Sequence, residues 1–162
     1  YIQRATVMII SNFAIEELTS HSIASKHVVA RQEEFDTLIP NFYNELNEVL
    51  QSQEINISGP LFFIYRDEPK NGLFDIEIGH PVSGKFTGDG EISCKESYQG
   101  KVAKCEFKGS YDNIPSAWDE FGVEIKNSNL VTKELCWESY DIGPNESSNP
   151  ELWVTTLYQS IE

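Results

Sequence analysis

The chain has 162 residues, of which 40% are hydrophobic and 12% aromatic, and its formal net charge is −14 at pH 7. This length and apolar content are enough for one domain with a buried core and exclude a disordered acidic tail. With 12 Lys and Arg against 26 Asp and Glu, the chain lacks the clustered positive charge of a direct nucleic-acid binder, and it has no apolar run long enough to cross a membrane.

The first half of the chain alternates strand and helix signals. Between Leu38 and Leu50, apolar residues recur every three or four positions, which is the helical period. Pro40 is predicted in the first turn of this helix, where a missing N–H is tolerated. In chain order we predict a strand within residues 6–18, a strand over Ser22–Ala30, a helix from Phe35 to Gln51, and hairpin strands Leu61–Arg66 and Leu73–Ile78.

The second half repeats this order after a short Gly-rich joint, Ser83–Gly90, and a possible strand at Glu91–Ser97. Trp118, Phe121 and Ile125 again follow the helical period. The predicted elements are a strand over Lys101–Lys108, a helix from Ile114 to Asn127, and strands Leu135–Asp141 and Leu152–Ile161.

The two halves carry the same landmarks 75 positions apart: Ile39-Pro40 and Ile114-Pro115, Tyr43 and Trp118, Tyr65 and Tyr140. A long period that occurs only twice indicates a duplication with pseudo-two-fold symmetry rather than a solenoid. We therefore predict a single α+β domain over residues 1–162, with β-α-β-β halves at about 13–82 and 91–161. Its antiparallel sheet and two long helices would surround a central groove that can hold a ligand.

The strand around Glu138 holds the main candidate for function. Successive side chains of a strand point to opposite faces, so Glu138 and Tyr140 share one face. The repeat places Phe63 at the position of Glu138 and Tyr65 at the position of Tyr140. If this face is internal, Glu138 is a carboxylate among aromatic rings, an arrangement that suits a bulky cation. The alternative is that Glu138 points to solvent, as most glutamates do.

No metal site, cofactor or catalytic residue is predicted. The three histidines and three cysteines lack metal-ligand spacing, and an odd number of cysteines without a CxxC motif is typical of a reducing, cytoplasmic compartment. Haem binding has little support because no histidine falls clearly in the predicted groove strands. Trp137 and Trp153 are predicted to pack against the helices.

The order of several short motifs resembles that of the GyrI-like effector-binding domains, the ligand-sensing modules of multidrug-responsive AraC- and MerR-class regulators. The resemblance covers nearly the whole chain after about residue 13. Two departures concern Thr132–Leu135, where family members commonly have Gly-Pro, and Ser160-Ile161, where they tend to end in Pro-Ile. The motifs are Ile39-Pro40, Gly59-Pro60, Phe74–Val82, Lys108–Tyr111, Glu138-Ser139-Tyr140, Pro150-Glu151 and Thr155–Ile161.

The resemblance implies a duplicated fold around a ligand groove, with Glu138 as its pocket glutamate. It also adds weight to a ligand-binding set drawn from the strands and the second helix: Glu138, Tyr140, Tyr65, Phe63, Trp118 and Tyr111. Ordinary sheet or helix packing remains the alternative for the aromatic members of this set.

Three functions stay open. The leading one is a bacterial-type binding domain for lipophilic, cationic aromatic effectors or drugs, acting as a sensor or a sequestering protein without direct contact to nucleic acid or membrane. The second, which the resemblance also implies, is a hydrolase of reactive cyclopropane-bearing compounds with Glu138 as general base. The third is a gyrase-inhibitor-like interaction module whose acidic surface meets a basic partner. The natural ligand, the oligomeric state and the presence of a preceding DNA-binding domain are left open.

Overall fold

The computed structural model describes residues 8–162, so the first two residues of the strand predicted within 6–18 lie outside it. The described elements are eight strands and two long helices: β1 (Ile10–Leu18), β2 (Ser22–Arg31), α1 (Phe35–Gln51), β3 (Phe62–Tyr65), β4 (Leu73–Pro81), β5 (Ser93–Glu96), β6 (Gly100–Lys108), α2 (Ile114–Asn127), β7 (Thr132–Ile142) and β8 (Val154–Ile161). The strands form one antiparallel sheet in the order β1-β6-β8-β7-β3-β4-β2-β5. This arrangement confirms the predicted α+β class.

Each helix covers the strands of its own half with an apolar stripe. In α1 the buried residues Phe42, Leu46 and Leu50 recur every four positions and pack on a cluster from β2, β3 and β4. The stripe of α2 packs on β6 and β8, and its buried members are Ile114, Ala117, Phe121 and Ile125. Tyr140 of β7 contacts both clusters, so the two cores meet at the centre of the sheet.

The prediction for Pro40 is wrong. Pro115 lies in the first turn of α2, but Pro40 lies inside α1, which begins at Phe35. In the first half the helix already begins four residues before Ile39, whereas α2 begins at Ile114 itself. Pro40 has no N–H to donate to the carbonyl of Asp36, so α1 lacks one of its internal hydrogen bonds at this position. The added turn brings Phe35 to the centre of the molecule.

The two halves meet at the pairing of β3 with β7, where Phe63 lies directly opposite Glu138. These two residues are also equivalent in the 75-residue repeat. A residue that faces its own repeat equivalent across an antiparallel pair marks the pseudo-two-fold axis. Glu138 therefore lies at the axis of the duplication.

The outer strands tie each half to the other. β1 precedes β2 in the chain but pairs with β6, whereas β5 precedes β6 and pairs with β2. Leu18 lies opposite Gly100 and Ser22 opposite Glu96, and the Ser97 N–H donates to the His21 carbonyl between them. The β1–β6 and β2–β5 pairings therefore continue in one register across the turn between β1 and β2. Neither helix in the described residues is long and apolar enough to span a bilayer.

Candidate functional site

A cavity of about 1120 Å³ lies over the junction of β3 and β7. The floor comes from these two strands, one wall from the N-terminal half of α1, and the opposite wall from residues at the start of α2. Residues 143–146 and Trp153, from the β7–β8 connection, form the rim. This position is where the duplication predicts a groove.

Glu138 is the charged group at the bottom of this cavity, and its side chain is only 1% exposed. Its Oε1 accepts hydrogen bonds from the Tyr65 hydroxyl at 2.5 Å and from the Trp118 indole N–H at 2.7 Å. Its Oε2 accepts one from the Tyr140 hydroxyl at 2.5 Å. All three partners are neutral donors, and no Lys, Arg or His of residues 8–162 forms an ion pair with it.

Burial has the largest effect on the pKa of Glu138. It raises the pKa of Glu138 above the ordinary 4.5, while the hydrogen bonds from Tyr140, Tyr65 and Trp118 act in the opposite direction. Burial and the nearby Glu138 carboxylate also raise the pKa values of Tyr65 and Tyr140, which keeps both hydroxyls protonated as donors. The carboxylate is therefore solvated by protein dipoles but has no countercharge.

Aromatic rings surround the carboxylate. Phe63 meets Tyr140 edge to face at 5.0 Å between centroids and Phe35 at 5.3 Å. At the rim, Tyr111 and Trp153 lie 4.7 Å apart. Ring faces attract positive charge, so these walls offer both apolar area and cation–π contacts to a ligand.

The charge of the lining has one sign. Four acidic side chains contribute charge to the cavity, and none of the described residues that line it is Lys or Arg. The four are Asp36, Asp112, Glu138 and Glu146. Asp141 also lines the cavity, but its carboxylate accepts hydrogen bonds from Ser139 and Thr156 on the opposite face of the sheet. A cleft with walls of low dielectric constant focuses this negative field, so cations are attracted and anions are repelled.

The β7–β8 connection makes the cavity asymmetric. It runs over residues 143–153, whereas the equivalent β3–β4 connection covers only 66–72. The longer segment is held by the Glu146 carboxylate, which accepts the Gly143 N–H at 2.7 Å, and by the Trp153 indole, which donates to the Ser147 carbonyl at 2.8 Å. The extra residues give one half a rim that the other half lacks.

The structure brings the six predicted site residues together. Glu138, Tyr140, Tyr65, Phe63 and Tyr111 line the cavity, while Trp118 lies behind Glu138 and reaches it through its indole N–H. The predictions for the other two tryptophans are wrong. Trp153 lines the cavity because the long connection folds back over it, and Trp137 stacks on Tyr158 at 4.9 Å on the face opposite Glu138.

Tyr43 and His80 also line the cavity, although neither is among the predicted site residues. A signal for Tyr43 existed, because it is the repeat equivalent of Trp118. His80 had none, because its strand reads as ordinary alternation. Within residues 8–162 no group of three or more His, Cys, Asp or Glu side chains is placed to hold a metal ion.

Comparison with known proteins identifies the family. Residues 13–162 match the model of the GyrI-like small molecule binding domain. The chain belongs to this family. It is therefore a small-molecule binding domain. Its cavity lies over the junction of the two halves, and the charged side chains that line it are acidic. No functionally curated protein matches it in sequence.

Solved structures share the fold at low sequence identity. The EcmrR C-terminal domain aligns with a TM-score of 0.85 and 19% identity, covering 96% of this chain and 99% of that domain. In an EcmrR–DNA complex the TM-score is 0.84 at 19% identity, and the alignment covers 96% of this chain but 59% of the EcmrR chain. SAV2435 bound to tetraphenylphosphonium aligns with a TM-score of 0.62 and 14% identity, covering 93% of this chain and 94% of that one.

Proposed function

We propose that this GyrI-like domain binds lipophilic aromatic cations and that Glu138 is their countercharge. The cation would lie between the aromatic walls, and its charge would be paired with the carboxylate at the bottom of the cavity. Binding of this kind suits an effector domain of a regulator or a sequestering protein. The proposal extends the family function to a class of ligand.

One observation carries the proposal: a carboxylate is buried at the end of an open aromatic cavity without a cationic partner among the described residues. A buried charge is costly unless it is paired. Glu138 is held in place by three neutral donors that leave its charge uncompensated, and the cavity gives access to it. A bound cation would complete the ion pair that the protein itself does not make.

Two proteins of similar fold are consistent with this proposal. SAV2435, whose structure holds tetraphenylphosphonium, shows that a related fold accommodates a cation of this size and aromatic character. EcmrR occurs in a complex with DNA and is longer than this chain. A role in transcription would therefore require a DNA-binding region or a partner in addition to the residues described here.

A thermal-shift comparison tests the class of ligand. At about ten times its Kd, tetraphenylphosphonium should stabilise the native state by about 1.4 kcal/mol, which is about 3–5 °C in Tm for a domain of this size. Triphenylphosphine oxide, a neutral compound with similar rings, should produce a smaller shift at the same concentration. Equal shifts by the two compounds would contradict the selection of cations.

The affinity for a permanent cation should fall at acid pH. Burial raises the pKa of Glu138, so its carboxylate takes up a proton at a higher pH than an exposed glutamate would. Below that raised pKa, tetraphenylphosphonium must displace a proton, and its affinity should decrease by up to about tenfold per pH unit. Calorimetric titrations across the acid range would show this slope. Glu138→Gln should remove the slope, and a slope that persists in this variant would assign it to another group.

The two other functions have weaker support from the site. A hydrolase of the kind considered requires Glu138 to accept a proton from water as general base. Three hydrogen bonds to Glu138 already occupy lone pairs that a general base would direct at water. The interaction-module hypothesis uses the overall charge of −14 but gives no role to the cavity.

A further inference from the structure

A second polar group lies in the same cavity, on the α1 side. Tyr43 of α1 and His80 of β4 both line the cavity, and the Tyr43 hydroxyl lies 2.6 Å from Nε2 of His80. Nδ1 of His80 lies 2.9 Å from the carbonyl oxygen of Gly59. His80 is only 4% exposed and stacks on Phe42, so its ring is fixed. Tyr43 is the repeat equivalent of Trp118, the residue that reaches Glu138.

The two contacts of His80 determine where the hydrogens lie. The Gly59 carbonyl can only accept, so Nδ1 of His80 carries a hydrogen and donates it. Burial lowers the pKa of His80, which favours the neutral ring. In a neutral imidazole whose Nδ1 is protonated, Nε2 is an acceptor, so the Tyr43 hydroxyl must donate its only hydrogen to His80. The Tyr43 oxygen then offers only lone pairs to the cavity.

The surroundings of Tyr43 strengthen this preference. Burial and the negative charge of Glu146 both raise the pKa of Tyr43. The remaining charged groups of the lining are also acidic, and none of its described residues is Lys or Arg. An oxygen that can only accept, in a negative field, attracts N–H groups of a cation and offers nothing to a ligand group that is itself only an acceptor.

We propose that Tyr43, oriented by His80, is a second specificity-determining residue of the cavity and selects cationic aromatic ligands that carry N–H donors. Glu138 would pair with the positive charge of the ligand, and Tyr43 would accept a hydrogen bond from one of its N–H groups. Cations whose nitrogen substituents are fully alkylated would bind through Glu138 alone. This inference rests on the proposed function, because it requires a cationic ligand in the same cavity.

A matched pair of dyes tests the inference. The N10-methyl derivatives of proflavine and acridine orange, called by the parent names below, share a planar acridinium whose ring nitrogen carries no hydrogen. The exocyclic amino groups of proflavine bear hydrogens, whereas those of acridine orange are dimethylated. Tyr43→Phe should weaken proflavine by about tenfold, which is typical of a lost hydrogen bond to a charged group, and should change acridine orange by less than about twofold. Fluorescence titration gives both Kd values at one pH and one salt concentration.

Two controls separate recognition from folding. Tyr158→Phe removes a hydroxyl from the opposite face of the sheet and should change neither dye, since Tyr158 does not line the cavity. If Tyr43→Phe is too unstable to titrate because it leaves Nε2 of His80 unpaired, Tyr43→Phe with His80→Phe removes both partners and should show the same selective loss.

The outcomes distinguish this inference from the proposed function. Equal loss of both dyes in Tyr43→Phe, or no loss of proflavine, would overturn the role of Tyr43. The function proposed for the cavity would survive that result if Glu138→Gln weakened both dyes. Failure of both dyes to bind the unmodified protein would overturn the proposed function and this inference with it.

Discussion

Glu138→Gln is expected to weaken tetraphenylphosphonium binding by about 100-fold, or ~3 kcal/mol, because it removes the buried countercharge without changing the shape of the cavity. The glutamine carbonyl can take the place of Oε1 and accept from Trp118 and Tyr65. Its NH₂ group can donate to the Tyr140 oxygen, whose hydroxyl hydrogen then turns away. The substitution therefore isolates charge from packing.

Two comparisons make this result specific. Triphenylphosphine oxide should bind the variant within about threefold of the unmodified protein, since it has no net charge to pair. Glu146→Gln makes the same chemical change at the exposed rim, where water and salt screen the charge, and should weaken the cation less than about threefold. Isothermal titration calorimetry measures all five dissociation constants: three for the cation and two for the neutral compound. Equal loss of the cation and the neutral compound in Glu138→Gln would eliminate the electrostatic role.

Much of the fold could be predicted because the chain repeats its own pattern. The bounds predicted for the helices, Phe35–Gln51 and Ile114–Asn127, agree with the structure because both have clear apolar stripes. The repeat also aligned Phe63 with Glu138, and the structure places these residues opposite each other at the centre of the sheet. Local periodicity and internal similarity were sufficient for this part of the site.

Long-range pairing could not be predicted in the same way. The exchange by which β1 pairs with β6 and β5 with β2 depends on contacts between distant segments that leave no periodic signal. Trp153 reached the cavity through an irregular connection, and His80 through the side of β4 that faces α1. These residues belong to the site because of tertiary structure, and their local sequence resembles that of ordinary loop and strand residues.

The duplication also explains how a single carboxylate can occupy the axis. In a symmetric dimer of identical halves, a glutamate at this position would face its own copy, and two like charges directly opposite each other destabilise a strand pair. In this chain the two equivalent positions differ, and Phe63 lies opposite Glu138 where a symmetric pair would have a second carboxylate. The result is one charge with an aromatic ring beside it, which is a better site for one cation than two carboxylates would be.

The same buried charge has a consequence for the empty protein. Glu138→Gln should raise the free energy of unfolding at neutral pH by about 2 kcal/mol, which corresponds to about 4–8 °C in Tm. A group whose pKa is raised on folding favours the native state while it is protonated, and this contribution is lost as the pH rises through the folded pKa. At neutral pH the ionised Glu138 thus destabilises the native state, and a neutral glutamine does not.

Thermal unfolding without ligand, followed from neutral to acid pH, measures this effect. The difference in Tm between Glu138→Gln and the unmodified protein should reach its maximum above the raised pKa of Glu138. It should vanish below the ordinary pKa of 4.5, where the side chains of both proteins are neutral. Glu146→Gln is the control, because it makes the same chemical change at an exposed position. Saturating tetraphenylphosphonium should reverse the order of stability at neutral pH, since the cation pairs with the ionised carboxylate and gains little from glutamine.

A lower Tm for the ligand-free Glu138→Gln at neutral pH would contradict this account. It would show that the three hydrogen-bond donors fully compensate the charge of Glu138, and a cation would then gain nothing by pairing with it.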